Sequence, residues 1–551
     1  MLQTLRRLWP WLAATATGLL GAACFPPFNQ SWLCWIALTP LIAAIWFSNR
    51  EAKRGWLHNL LLGYVAGIVF FTTVFAWLGA LGDLYQNLFL HGLPLLLSLY
   101  LALHFAFWGW FAGLIRPKDF ISSHRNLLVA LLAGSAWCTH EWVRGWLFSG
   151  FGWDGLGVAL HRNWPLIQIS EYTGVIGVSF AVVFANIIAV CVPVRLFAEA
   201  RTHRMRPHFD LTLTMIGLVA LFAFGLHAVQ NQSPGNPLRV AAIQTNIPQI
   251  DKFQLADAEK ILNTCDRLSA LAVQRVPNLG LMVWPESSVP GIYGRDAWVL
   301  QFSQTMAQRS GTDLLLGVDN TENDRDYNAA LLVSPTGQNQ LYRKVHLVPF
   351  GEYIPLRHSF PLFAAIASTW VPGDFAAGTE HTVFHLTNGG VRVAPLICFE
   401  DTVGDLARRF VIKGANLLVD ITNDGWFLHS AGSQQHVDNA LFRCVENRRP
   451  MVRASNTGVT CFIDDSGRVT QFLQDDIGST FTEGVLTGSV NVPEQPRLTF
   501  YTQHGELFAK ICAVVTGLAI AALCGRRWIG KASAASHLRG RCSISAASPP
   551  H

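Results

Sequence analysis

Long apolar runs occupy both ends of the chain, and a segment of mixed polarity lies between them. A run of roughly 20 apolar residues is long enough to cross a bilayer as a helix. Such runs occur near 9–25, 31–48, 58–80, 90–115, 127–148, 166–194, 211–229 and 507–525. The first two are short and are separated by PPFNQS, which favours a helical hairpin. The pattern predicts eight membrane helices, seven of them within 1–230 and one within 501–525.

The segment between these runs, 231–500, has a different periodicity. It begins at the linker-like NQSPGNP, and short apolar runs typical of buried strands then alternate with amphipathic stretches. The predicted strands are 239–246, 279–286, 312–319, 328–335, 391–399 and 415–422, and the predicted helices are 254–275, 402–413 and 433–448. Strands that alternate with helices indicate a layered α/β domain. The Ser/Ala-rich tail, 526–551, is predicted to be disordered.

Basic residues indicate the orientation of the chain in the membrane, because cytoplasmic connections carry an excess of Lys and Arg. One set of alternate connections contains Arg6, Arg7, Arg50, Lys53, Arg54, Arg116, Lys118, Arg125, Arg195, Arg201, Arg204 and Arg206. The opposite short connections contain only Arg162. We therefore expect both termini in the cytoplasm and 231–500 outside, which in a bacterium means a multi-pass inner-membrane protein with a periplasmic domain. No small-residue cleavage pattern follows the first apolar run, so it should remain as an anchor.

Composition supports a membrane protein and argues against a nucleic-acid partner. The chain has 551 residues, of which 51% are hydrophobic and 14% charged, and its net charge of +5 comes largely from residues that flank apolar runs. The 11 cysteines include no CxxC pair and no metal-ligand spacing, so we expect no metal site. No heptad pattern appears, and a monomer is expected.

Three side chains at the ends of apolar runs could together carry acyl transfer. Cys398 follows VRVAPLI, Glu286 follows VWP, and Lys344 lies in YRKVHLVPF. A thiol, a carboxylate and an ammonium supply a nucleophile, a base and an oxyanion stabiliser. A helix start near Thr402 would favour the thiolate of Cys398. The alternatives are a buried structural cysteine and solvated surface charges.

The same motifs resemble the nitrilase, or carbon-nitrogen hydrolase, superfamily, and the preceding membrane region makes the whole chain similar to the apolipoprotein N-acyltransferase family. The motifs that carry the resemblance are QTNIPQ, WPES, YRKVHLVPFGEYIP, ICFED, ITNDGWF, ENRRP and RASNTGV. The resemblance implies an αββα sandwich with a catalytic triad.

Carried over motif by motif, the resemblance assigns a role to each matching residue. The base is Glu286, the oxyanion lysine is Lys344 and the nucleophile is Cys398, with Glu352 and Glu400 as supporting carboxylates. The chain departs from the family at two aromatic positions. Phe399 stands where Tyr is usual, and Phe253 where Trp is usual. Both residues, with Trp426 and Phe427, are candidates for substrate contact or a lid, as is the segment 362–373.

The resemblance also implies the substrates, and it implies a reaction that needs no cofactor. A membrane phospholipid, typically phosphatidylethanolamine, would give its acyl chain to the thiol. The α-amino group of a diacylglyceryl-cysteine at the start of a lipoprotein would then accept it. Two other functions remain open from the residues alone: a membrane-tethered amidase or nitrile hydrolase, and a transporter or scaffold without catalysis.

Overall fold

The computed structural model describes residues 2–48, 54–203, 206–231, 234–253, 257–355, 357, 373–494 and 497–544, without the side chains of 2–5, 253 and 526–544. In the first part of the chain the helices are α1 (Leu2–Ala22), α2 (Thr39–Phe47), α3 (Gly55–Val74), α4 (Ala80–Leu84), α5 (Leu93–Leu114), α6 (Ser123–Arg144), α7 (Trp164–Ile167), α8 (Ser170–Thr173), α9 (Val175–Thr202) and α10 (Phe209–Gln230). The later helices are α11 (Ala258–Arg275), α12 (Ala297–Ser310), α13 (Gly404–Ile412), α14 (Gly432–Asn447), α15 (Phe500–His504) and α16 (Leu507–Ile544).

Five of the described helical segments are long and apolar enough to cross a membrane. They are Gly55–Val74, Leu88–Leu114, Val175–Thr202, Phe209–Gln230 and Leu507–Gly525. Every predicted span overlaps at least one helix, but the count of eight spans is not confirmed. Among the other three, α2 has only nine residues, and α6 contains the buried polar residues His140, Glu141 and Arg144. Polar side chains inside a membrane helix normally face neighbouring protein instead of lipid, which lowers the mean hydropathy of that helix.

The segment after α10 forms two β-sheets. The strands are β1 (Asn236–Gln244), β2 (Leu281–Val283), β3 (Ile292–Tyr293), β4 (Asp313–Glu322), β5 (Arg325–Val333), β6 (Asn339–Arg343), β7 (Phe384–His385), β8 (Arg392–Ile397), β9 (Leu417–Thr422), β10 (Met451–Ser455), β11 (Cys461–Ile463), β12 (Val469–Phe472) and β13 (Gly484–Val492). One sheet has the order β13-β1-β2-β4-β5-β6, with β3 paired to β4, and the other has the order β12-β11-β10-β9-β8-β7. The six predicted strands and three predicted helices of this segment are confirmed.

Alternating side chains of the strands pack in opposite directions, as period-two geometry requires. In β1, Val240 and Ala242 join the core that the first sheet shares with the second. Ala241 and Ile243 instead pack with α11 and α12 in a separate core. Helix α13 adds Leu406 and Phe410 to the other side of the sandwich. The result is the αββα arrangement that the resemblance implied.

Contacts between the membrane helices and the sandwich are extensive around α14, in which every residue except Gln434 is buried. The indole of Trp77 donates a hydrogen bond of 2.8 Å to Gln435, and Trp153 lies with its ring centre 5.0 Å from that of His436. A helix with polar residues all round is buried here because protein covers both of its faces. The membrane half thus packs directly against the helix that supports the second sheet.

The last helix differs from its prediction. Its backbone continues from Leu507 to Ile544, so the tail that the sequence predicted to be disordered is helical as far as that residue. Of the segment 362–373, only Gly373 lies within the described residues.

Candidate active site

Cys398 lies at the point where β8 ends and a short 3-10 turn, Cys398–Thr402, begins. Its backbone φ is +52°, a left-handed conformation that is uncommon for a residue with a Cβ and is often found at functional sites. The thiol is partly exposed. Burial of the site and the nearby Glu286 carboxylate raise the pKa of Cys398 well above its usual value, although Lys344 opposes them.

The prediction that a helix dipole favours the thiolate of Cys398 is therefore corrected by the structure. The turn that follows Cys398 is a five-residue 3-10 segment, and α13 begins only at Gly404. The macrodipole effect fades within about the first turn of a helix. A thiol with a raised pKa needs a base to remove its proton before it can act as a nucleophile.

Lys344 is placed by the end of β6. Its backbone N–H donates a hydrogen bond of 2.8 Å to the carbonyl of Asn328 in β5. Its ammonium lies 2.9 Å from a Glu352 oxygen and 3.9 Å from Oε1 of Glu286, with only 1% of the side chain exposed. Burial opposes its charge, but Glu352 and then Glu286 raise the pKa of Lys344 above its usual value. The site therefore contains a permanent buried cation.

Glu286 follows β2 and is buried at 7% exposure. Its Oε1 accepts a hydrogen bond of 2.6 Å from the amide of Asn328. Burial raises the pKa of Glu286, and Lys344 and Asn328 act in the opposite direction. A carboxylate with a raised pKa is a stronger base than a solvated one, which suits it to deprotonate a thiol.

Glu352 and Glu400 hold the loops on either side of the cluster. Glu352 accepts hydrogen bonds from Lys344, Asn328 and the backbone N–H of Val348. Glu400 accepts from the backbone N–H of Ile397 on one oxygen, and from Tyr342 and two backbone N–H groups on the other. Burial raises the pKa of Glu400 to about 7. This carboxyl joins the nucleophile turn to the segment after Lys344.

The aromatic candidates occupy different environments. Phe399 is 4% exposed and stacks against Phe151 and Trp153, with centroid distances of 5.9 and 6.1 Å. Phe427, a candidate for substrate contact or a lid, is 9% exposed, because the ring of Trp77 lies 4.6 Å from it.

Two further candidates lie on short 3-10 turns. Trp426, in Asp424–Phe427, is half-buried and packs against the large core. Phe253 ends the turn Asp251–Phe253, and its side chain lies outside the part of the chain that the structure describes. Phe399 and Phe427 thus contact the membrane half, whereas Trp426 keeps partial access to solvent.

Several residues of the site were missed by the sequence analysis. Asn328 opens a predicted strand, and a polar residue at the start of an apolar run was the only signal. Tyr342 precedes Lys344 by two positions and donates a hydrogen bond of 2.8 Å to Glu400. Lys252 donates one of 3.0 Å to the backbone carbonyl of Glu286, and burial lowers the pKa of Lys252 to about 8.

Comparison with known proteins decides the family. Residues 17–188 match the apolipoprotein N-acyltransferase N-terminal domain, and residues 239–494 match the carbon-nitrogen hydrolase family. The chain is 33% identical over 526 residues to the apolipoprotein N-acyltransferase of Geobacter metallireducens, with 94% of this chain and 95% of the relative covered. The chain belongs to the apolipoprotein N-acyltransferase family.

Other relatives agree over nearly the full length. The apolipoprotein N-acyltransferase of Nitrosomonas europaea is 32% identical, with 94% of this chain and 98% of the relative covered. That of Methylococcus capsulatus is also 32% identical, with 93% of this chain and 95% of the relative covered. The similarity to these relatives therefore spans both the membrane helices and the sandwich of this apolipoprotein N-acyltransferase family member.

Proposed function

We propose that this chain transfers an acyl chain from a membrane phospholipid, through a thioester on Cys398, to the α-amino group of the N-terminal diacylglyceryl-cysteine of a lipoprotein. The observation that carries the proposal is the buried cluster in which Lys344 lies between the carboxylates of Glu286 and Glu352 beside the Cys398 thiol. Family membership supplies the substrate pair, and the cluster supplies the chemistry.

In the first half-reaction Glu286 takes the thiol proton as the sulfur of Cys398 attacks the ester carbonyl of the phospholipid. The negative charge that develops on the carbonyl oxygen is stabilised by the ammonium of Lys344. When the tetrahedral intermediate collapses, the lysophospholipid leaves as an alcohol after taking the proton back from Glu286. An acyl thioester and an ionised Glu286 remain. We expect phosphatidylethanolamine as the donor.

In the second half-reaction the amine of the lipoprotein attacks the thioester. Glu286 accepts the proton that the nitrogen loses, Lys344 again stabilises the oxyanion, and Cys398 leaves as a thiolate that recovers a proton from Glu286. The donor leaves before the acceptor reacts, so the kinetics should be ping-pong. Glu352 and Glu400 act by holding Lys344 and the nucleophile turn.

The location of the site follows from its substrates. Both the acyl donor and the acceptor keep their chains in a bilayer, so the catalytic domain must lie at the membrane surface. We infer an inner-membrane protein with a periplasmic catalytic domain and both termini in the cytoplasm, acting as a monomer. Contact between Phe399 and the aromatic rings of the membrane half supports a site close to the bilayer.

Trapping the acyl-enzyme tests the proposal. The purified protein in detergent is mixed with phosphatidylethanolamine carrying a labelled sn-1 acyl chain, and the modified peptide is mapped. We expect a label at Cys398 that neutral hydroxylamine removes, and its transfer to a synthetic diacylglyceryl-cysteine peptide. Cys398→Ala should take up no label. Labelling elsewhere, or release of the acyl group only to water, would contradict the acyltransferase and favour a hydrolase.

A further inference from the structure

Asn328 links three of the residues in the cluster. It lies in β5 and is 4% exposed. Its side-chain amide donates to Oε1 of Glu286 at 2.6 Å and to Oε1 of Glu352 at 2.9 Å. Its backbone carbonyl accepts the N–H of Lys344 at 2.8 Å. One buried asparagine therefore bridges the two carboxylates that flank the ammonium.

The orientation of this amide is fixed by its neighbours. Nitrogen and oxygen of an asparagine side chain are distinguished by their hydrogen-bond partners. A flipped amide would direct Oδ1 of Asn328 at two carboxylate oxygens, and none of these atoms could donate. The NH2 group of Asn328 has two hydrogens, one for each carboxylate.

The two oxygens of Glu286 differ as a result. Oε1 accepts from Asn328 and is the oxygen nearer to Lys344, at 3.9 Å. Oε2 is buried and has no hydrogen-bond partner among the described residues. A buried carboxylate oxygen without a partner costs free energy, so such an atom in a native site calls for an explanation. A substrate or nucleophile proton that arrives during the reaction provides one.

We propose that Asn328 is a positioning residue that occupies Oε1 of Glu286 and thereby makes Oε2 the oxygen that exchanges protons with Cys398 and with the acceptor amine. The proposal rests on the base role given to Glu286 above. During acylation the proton of the Cys398 thiol moves to Oε2 as the bond from sulfur to carbon forms. It moves on to the lysophospholipid oxygen as the ester bond breaks, and Oε1 keeps its hydrogen bond throughout.

Removing the amide should change the pH dependence of acylation as well as its rate. The charged groups that face Glu286 are Lys344, Glu352, Lys252 and the thiol of Cys398. None of them is altered in Asn328→Ala. The hydrogen bond from Asn328 favours the ionised carboxylate, so its loss should raise the pH at which Glu286 becomes a base.

The experiment measures single-turnover acylation with labelled phosphatidylethanolamine from pH 5 to pH 9 on full-length variants in detergent. For Asn328→Ala we expect the acid limb to move upward by about one pH unit, with the rate partly recovered at high pH. Asn328→Asp keeps the shape but adds a third carboxyl, so the shift should be larger. Asn320→Ala is the matched control, because Asn320 is buried in β4 but donates to the carbonyl of Tyr293. Its acid limb should not move.

The outcomes separate this proposal from the proposed function. If Glu286→Gln is inactive at every pH while Asn328→Ala and Asn328→Asp lose the same fraction of activity at every pH, Asn328 has only a structural role and the inference is overturned. If Glu286→Gln forms the thioester at the normal rate, the base assignment fails and the inference fails with it. A shift in both Asn328 variants, with none in Asn320→Ala, supports it.

Discussion

Lys344 and Glu352 form a buried ion pair in which the ammonium lies 2.9 Å from a carboxylate oxygen. Glu286 lies further from the same ammonium, at 3.9 Å. One cation therefore faces two carboxylates before the reaction begins. In the proposed mechanism Glu286 loses its charge when it takes the thiol proton, and the electrostatic demand on Lys344 falls as an oxyanion develops nearby. The pairing thus makes the cation most available in the transition state, which is where stabilisation accelerates a reaction.

Replacing Lys344 by methionine should therefore abolish most of the activity. Lys344→Met preserves much of the side-chain length and removes the charge, and loss of one oxyanion stabiliser costs on the order of 3 kcal/mol, or about 100-fold in rate. The measurement is single-turnover acylation with labelled phospholipid. Lys260→Met provides the control, because Lys260 is 62% exposed and pairs only with Asp251 among the described residues. Acylation by Lys344→Met within a few-fold of the wild-type rate would remove the assigned role.

Glu352→Gln should alter the alkaline side of the pH profile. Glu352 is the largest of the interactions that raise the pKa of Lys344, so its neutralisation should lower that pKa. The reaction requires the ammonium form, and activity should then decline at a lower pH than in the wild type. The rate of acylation between pH 7 and pH 10.5 tests this expectation. An alkaline limb that stays in place would mean that Glu286 and the other nearby acidic groups, and not Glu352, maintain the charge of Lys344.

Much of the sandwich could be predicted from sequence because its central strands are continuous apolar runs covered on both faces. β10 was missed because it contains Arg453, whose guanidinium is fully buried and lies 3.1 Å from Asp424 and 3.2 Å from Asp420. A buried strand with a charge at its centre gives no apolar signal. β12 was missed for the opposite reason, since all four of its residues are exposed.

The candidate site likewise contains residues that could be predicted from the sequence and residues that could not. The triad could be proposed from three motifs, because each motif is recognised from a short run of neighbouring residues. Asn328 could not, because its importance depends on how β5 lies against Glu286 and Glu352 in three dimensions. The burial of Phe427 also depends on a distant part of the chain, since Trp77 from the membrane half covers it.

Phe399→Ala should weaken the contact between the nucleophile turn and the membrane half. The Phe399 ring stacks on Phe151 and Trp153 on one side, and its centre lies 5.6 Å from that of His346 on another. Truncating a buried phenylalanine costs about 3–5 kcal/mol, so we expect a lower unfolding temperature together with slower acylation. Phe399→Leu retains most of the volume and should lose clearly less of both. Thermal unfolding in detergent, followed by fluorescence, gives the comparison. Equal losses in the two variants would argue that the aromatic ring itself matters, and no loss in either would show that the stack is dispensable.

His436 should make stability depend on pH. Its ring lies 2.9 Å from Asp401 on one nitrogen and 2.9 Å from Asp424 on the other, and all three residues are buried. Burial opposes the charged ring, but Asp401 and Asp424 raise the pKa of His436 to about 9. A histidine with a raised pKa in the folded protein contributes most below its unfolded pKa of about 6.5, and that contribution is lost as the pH rises through 9. The change corresponds to roughly 3 kcal/mol at most.

The test compares the unfolding temperatures of wild type and His436→Gln at pH 6, 7.5 and 9.5. The wild-type advantage should be largest at pH 6 and should shrink to the loss of packing alone at pH 9.5. Asp424 does not interfere in this range, because Arg453 and His436 hold its pKa at about 2 despite its burial. His161→Gln is a useful second comparison, since His161 is also buried but lies 3.4 Å from a single carboxylate, that of Asp438. A difference between wild type and His436→Gln that is constant with pH would mean that the ring is neutral in the folded protein, and that Asp401 and Asp424 are held by Arg453 alone.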